Sequence, residues 1–158
     1  MTMLSVAIAL ATRMLLVALF LPFSALDKIF NFGGARRQAS QLAPAGLATP
    51  LVLTGLFIEI VMSLGVLTGL ADRLAAAVLA LYCCLTAFGW KQFWRPGDFF
   101  RPGESAARNL FWDFWKNLAL AGGFLLITFG TGASDVKTFL DNPLSSTHPY
   151  VVMGGAHE

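Results

Sequence analysis

Glu59 stands in the run TGLFIEIVMSLGVLTGL, residues 54–70, where every other side chain is apolar, small or a hydroxyl. A carboxylate inside an oily segment needs a counter-charge or a chemical task, because burying an unpaired charge is costly. Arg13, in the apolar run 4–26, is the natural partner. By helical rise Arg13 lies about 13 Å from the start of the first run, and Glu59 about 18 Å from the end of the second on the same side. A guanidinium spans that difference and forms a forked pair with a carboxylate. The expected intramembrane ion pair is therefore Arg13 with Glu59. It serves either to fix two helices together or to set a proton-accepting group beside a quinone or small-solute cavity.

A second polar group occurs further on. Asp113, Lys116 and Asn117 are spaced i, i+3, i+4 and share one helix face. Lys28, within one turn of Ser24, is placed to reach toward Asp113 or Lys116 across a bundle. Lys28, Asp113, Lys116 and Asn117 are thus the candidates for a polar or quinone-binding pocket, with anchoring of the helix as the plainer alternative. Trp90, Trp94, Trp112 and Trp115 cluster near one pair of helix ends, and Trp favours the headgroup level of a bilayer. They form either an anchoring belt or a platform for a quinone ring or a partner subunit.

These residues need a frame of helices in lipid. The chain of 158 residues is 56% hydrophobic and only 13% charged. Ordinary soluble domains carry roughly 25% charged residues. The net charge of +2 gives no reason to expect nucleic acid as a partner. Four apolar runs approach the roughly 20 residues that cross a bilayer as a helix. They lie at about 4–26, 50–71, 74–94 and 110–133. In lipid every backbone N–H must be paired internally, so helices are expected rather than open strands. The fold class is all-α: a four-helix transmembrane bundle with antiparallel neighbours, residues 1–134, followed by a polar extramembrane tail, 135–158. The first run lacks a charged leader and an A-x-A site and reads as a retained helix.

The connection 27–49 reads as a polar loop, and 91–109, with its repeated Arg-Pro-Gly, as irregular structure. These two carry most of the basic residues. The positive-inside rule places them in the cytoplasm and both termini outside. Gly65, Gly69, Gly122 and Gly123 are sites for close helix approach. Cys83 and Cys84 read as packing residues, and His148 and His157 as solvated tail residues. No catalytic residue, metal site or covalently bound cofactor is expected; a quinone or a lipid is the expected ligand.

The chain resembles the DoxX family of small four-helix membrane proteins. The resemblance rests on Arg13 and the element SALDK at residues 24–28. It also rests on EIVMSLGVLTGL from Glu59, on FWKNLALAGGFLL from Phe114, and on GTGASD from Gly130. The family commonly has Gly where this chain has Ser24, and often has His where this chain has Lys91. The resemblance implies an accessory subunit of a respiratory or other quinone-linked redox complex in a bacterial-type inner membrane. Such a subunit would dock a catalytic partner rather than act as an enzyme on its own. The alternatives are a quinone-binding membrane subunit of a thiosulfate-oxidising type enzyme and a small solute transporter.

Overall fold

The computed structural model describes residues 3–151. Four helices are long and apolar enough to cross a membrane: α1 (Met3–Phe30), α3 (Gly46–Thr68), α4 (Asp72–Trp90) and α5 (Ala106–Phe129). Among the described residues there are also two shorter helices, α2 (Phe32–Ala39) and α6 (Ala133–Asp141). No strand occurs among the described residues. The protein is an all-α, multi-pass membrane bundle.

Its core lies on the inner faces of the four long helices. Val17 and Phe20 of α1, Val66 of α3, Leu79 and Cys83 of α4, and Ala121 and Phe124 of α5 meet in one buried cluster. α4 packs against both α3 and α5 and is the central helix. Its inner face is built largely of alanine, with Ala75, Ala76 and Ala80 buried, so neighbouring backbones approach closely. Cys83 is buried, Cys84 is half-buried, and both are free thiols.

The glycines divide by what surrounds them. A Cβ on Gly65 would meet Ala75 Cβ at 2.9 Å and the Leu70 carbonyl oxygen at 3.3 Å. Neither obstacle is the free end of a flexible side chain. Gly65→Ala is expected to cost about 1–3 kcal/mol by overpacking, seen as a lower melting temperature in detergent. Gly69 has φ +77° and ends α3 in the left-handed conformation that glycine adopts freely. Gly123 faces Leu16, whereas a Cβ on Gly122 would meet nothing within 4 Å.

Two of the spanning helices, α1 with Ser24 and α3 with Glu59, each contain a π turn. In α1 it covers Leu19–Ser24 and includes Pro22, which has no N–H to give the preceding turn. In α3 it covers Ile58–Met62 and includes Glu59. The two turns pack on each other. π turns inside α-helices are rare and frequent at functional sites.

Two segments differ from the sequence expectation. The connection after the first span is helical: α1 runs on to Phe30 and α2 follows at once. α2 is stabilised by packing, since Phe32, Ala35 and Ala39 lie against Ala48 and Val52 of α3. Arg36 and Arg37 occupy its last turn, where cations complement the helix dipole. The tail also folds back after α6. Ser146 Oγ donates to the Gly69 carbonyl at 2.6 Å, and the Tyr150 hydroxyl donates to the Leu67 carbonyl. Carbonyls at a helix C-terminus have no partner within the helix, and the tail supplies one. His157 lies outside the described residues, while His148 follows Thr147 in the folded-back segment.

The connection before α5 is irregular up to Ser105, as expected, and polar groups hold it in place. Asp98 accepts from the backbone N–H of Ala106 at 2.8 Å and of Ala107 at 2.9 Å. Ser105 accepts from the Arg108 N–H at 3.1 Å, as the N-cap. The Arg108 guanidinium donates to the carbonyls of Phe99, Arg101 and Gly103. The Ala107 N–H, followed by that of Ala106, holds the Asp98 carboxyl below its usual pKa. A depressed folded pKa contributes stability above the unfolded value of about 3.9. That contribution is lost as pH falls through the lower folded value. Asp98→Asn should speed hydrogen exchange at Ala106 and Ala107 at neutral pH, and acidifying the unmodified protein through the Asp98 pKa should lower the protection of the same two amides relative to their intrinsic exchange rate at that pH.

Candidate functional site

The structure holds two intramembrane ion pairs, and neither is the expected Arg13–Glu59 pair. Arg13 does not meet Glu59. Its Nη2 lies 2.7 Å from Asp72 Oδ2 and 2.7 Å from Thr147 Oγ1, and its Nη1 donates to the Val66 carbonyl. The Thr147 backbone N–H donates to Asp72 Oδ1 at 2.9 Å, so the folded-back tail completes this network. Asp72 is fully buried and Arg13 only 7% exposed.

The different pairing has a geometric cause. Arg13 and Glu59 lie at similar depth only if α1 begins level with the α3–α4 hairpin. In the structure Arg13 is level with the hairpin itself, so the first turns of α1 project beyond it by about 15 Å of helical rise. Sliding α1 this far brings its closing residues to Glu59. The two cations are fifteen positions apart on α1, and the two acids thirteen positions apart across the hairpin. With near-equal spacing, setting one pair sets the other.

Glu59 has a different set of partners. Its Oε1 accepts from Lys28 Nζ at 2.7 Å, from Ser24 Oγ at 2.9 Å and from the Tyr82 hydroxyl at 3.0 Å. Lys28 Nζ also donates to Ser24 Oγ at 2.7 Å. Glu59 is 1% exposed, and its Oε2 is buried with no hydrogen-bond partner among the described residues. The carboxylate therefore keeps unused acceptor capacity. The elements explain the convergence. Ser24 ends the π turn of α1 and Glu59 lies in that of α3. Tyr82 reaches Glu59 past Gly55, where a Cβ would stand 3.1 Å from its hydroxyl.

This network forms one wall of a cleft of about 760 Å³. Lys28, Asp113, Lys116 and Asn117 all line it, with Lys91 and Tyr82. Lys28 does not pair with Asp113 or Lys116; its charge is directed at Glu59. Asp113 is served instead by Lys91 at 3.0 Å and by Lys116, one turn away, at 3.6 Å. Lys91, the residue that stands where the DoxX pattern often has His, therefore faces the cleft.

The tryptophans separate into two groups. Trp94, Trp112 and Trp115 are each more than half exposed and join a cluster of phenylalanines around Phe93 and Phe114. Trp90 is half-buried, and its indole N–H donates to the Gln38 carbonyl at 3.0 Å, tying α4 to α2.

Sequence reasoning missed Asp72, Tyr82, Ser24 and Thr147 as members of these networks. Asp72 carried a signal: it is the acid nearest the short hairpin, in the first turn of α4. Ser24 and Lys28 carried one as well, being four apart on a helix. Thr147 carried none, because its contact spans 134 positions.

The DoxX family model matches residues 8–92. That range takes in both ion pairs and Tyr82, and it leaves out Asp113, Lys116 and Asn117. No curated protein and no solved structure matches the chain.

Proposed function

The chain belongs to the DoxX family of membrane proteins, and from that premise we propose that it is an accessory membrane subunit of a quinone-linked redox complex, holding a quinone-class lipid beside Glu59 for a catalytic partner. The observation that carries this reading is the buried Glu59 network on the wall of a cleft of about 760 Å³. Ligand sites of this kind are concave and largely preformed, with a few convergent polar groups.

The residues present fit a quinone ring. Its carbonyls need donors, and Lys28, Lys91, Lys116 and Asn117 supply N–H groups around the cleft. Bound, such a group supplies a two-electron, two-proton couple. The protein's part is to orient the ring and handle protons. Tyr82 and Lys28 steady Glu59, and a buried carboxylate with one oxygen unused fits a proton-accepting role. The exposed aromatic cluster, led by Trp94, Trp112 and Trp115, is the surface for headgroups or a partner subunit. The same reading puts the protein in a bacterial-type cell membrane, with the basic connections 27–49 and 91–109 on the cytoplasmic side and the termini outside.

Titration of the purified protein with a short-chain quinone should quench tryptophan fluorescence saturably. Asn117→Leu, which removes a donor from the cleft wall, should weaken this binding by about tenfold, a loss of about 1.4 kcal/mol. Quenching that rises linearly without saturation would remove the proposal.

A further inference from the structure

A second, smaller cavity adjoins the cleft. It has a volume of about 290 Å³ and shares six lining residues with the cleft, among them Lys28, Tyr82 and Thr86. The rest of its lining is largely apolar and comes from α2, α3 and α4. Val52, Gly55 and Ile58 form its α3 side, and Trp90 lies at the end tied to α2. Its outer edges are Leu51 on α3 and Leu85 on α4, which are 44% and 61% exposed on the outer surface of two spanning helices.

We propose that this cavity is a lateral opening from the hydrocarbon into the Glu59 cleft, and that it holds the single apolar chain of a ligand whose polar ring lies in the cleft. The inference rests on the quinone reading above and deepens it. The ligand class becomes a membrane-partitioned ring carrying one hydrocarbon chain. A water-soluble ring that enters from the aqueous face is not the preferred ligand. Three features carry the assignment. The two cavities adjoin through shared lining residues, the smaller is the more apolar of the two, and its rim is formed by exposed leucines of two spanning helices. Gly55 contributes by its lack of a side chain: any Cβ there would press on the Tyr82 hydroxyl, which borders both spaces. A chain lying in the opening would run beneath α2 and past Tyr82, directing its ring toward Lys28 and Glu59.

The test uses the full chain in nanodiscs and calorimetric titration with methyl-benzoquinone and decyl-benzoquinone. Leu51→Trp and Leu85→Trp add bulk at the rim on residues exposed to lipid, so the fold tolerates them, and unchanged melting temperatures confirm it. Each should weaken decyl-benzoquinone by about tenfold, while methyl-benzoquinone binding stays within about twofold. Leu81→Trp, one turn away on α4 and outside the cavity, should change neither. Decylphosphocholine separates a generic lipid chain from a ring-bearing ligand. Rim-sensitive binding of it as tight as that of the decyl quinone would overturn the assignment, as would decyl-benzoquinone binding untouched by both rim variants. If the unmodified protein binds neither quinone saturably, the quinone reading itself fails. If it binds both and ignores the rim, only the lateral opening fails.

Discussion

Asp72→Ala is expected to destabilise the folded protein by about 3–5 kcal/mol, the largest effect of any single polar substitution here. Asp72 is fully buried, and it receives Arg13 at 2.7 Å and the Thr147 N–H at 2.9 Å. Removing it leaves a guanidinium 7% exposed, with the Val66 carbonyl and the Thr147 hydroxyl as its remaining partners among the described residues. An unpaired buried charge costs more than the pair contributes, because each ion has already given up its water. It follows that Arg13→Met combined with Asp72→Leu should recover most of the loss. Unfolding in mixed micelles measures all three proteins. A double-mutant cycle between Arg13 and Asp72 should give a large coupling. The cycle between Arg13 and Glu59 should give a coupling no larger than the ~0.5 kcal/mol seen for sites without shared partners. Strong Arg13–Glu59 coupling would mean that α1 sits in the other register.

The second large effect concerns Lys28. Lys28→Met removes the only cation hydrogen-bonded to Glu59 among the described residues and leaves the carboxylate with Ser24 and Tyr82 alone. The expected loss is about 3 kcal/mol. Adding Glu59→Gln to Lys28→Met should restore much of that stability, since the stranded charge is then gone. Quinone binding should not return with it, because the cleft has lost the Lys28 donor. Stability thus recovers on the second substitution while ligand affinity does not. A purely structural role for the pair would instead restore both together or leave binding indifferent throughout. The reverse single variant, Glu59→Gln alone, is milder for the fold. Lys28 has a side chain 21% exposed and a flexible stem with which to reach a wetter surface.

The Asp98 arrangement makes a smaller but separable claim. It lies outside the spanning segments and acts on the first N–H groups of α5. Its loss should loosen the connection 91–109 without touching either buried pair. The sites share no partners, so their effects should add.

How much of this could be read from the amino acids follows from the range of each interaction. Low charge content and four apolar runs dictate helices in lipid, because a backbone in hydrocarbon has few other ways to pair its N–H groups. Asp113 and Lys116 share a face by helical periodicity, and they meet in the structure. The sequence alone also marked Glu59 and Arg13 as groups that must be neutralised, since that depends only on their surroundings. It did not determine which ion neutralises which. That choice depends on the offset between α1 and the α3–α4 hairpin, and helical rise carries no information about where two helices start relative to each other. Only the packed structure sets the offset, through the side chains that interdigitate between them and the two π turns that bring Ser24 beside Glu59. The same holds for Thr147 and Tyr82. Their contacts close over 134 and 23 positions, so no local pattern can announce them, and three-dimensional packing alone makes them part of the site.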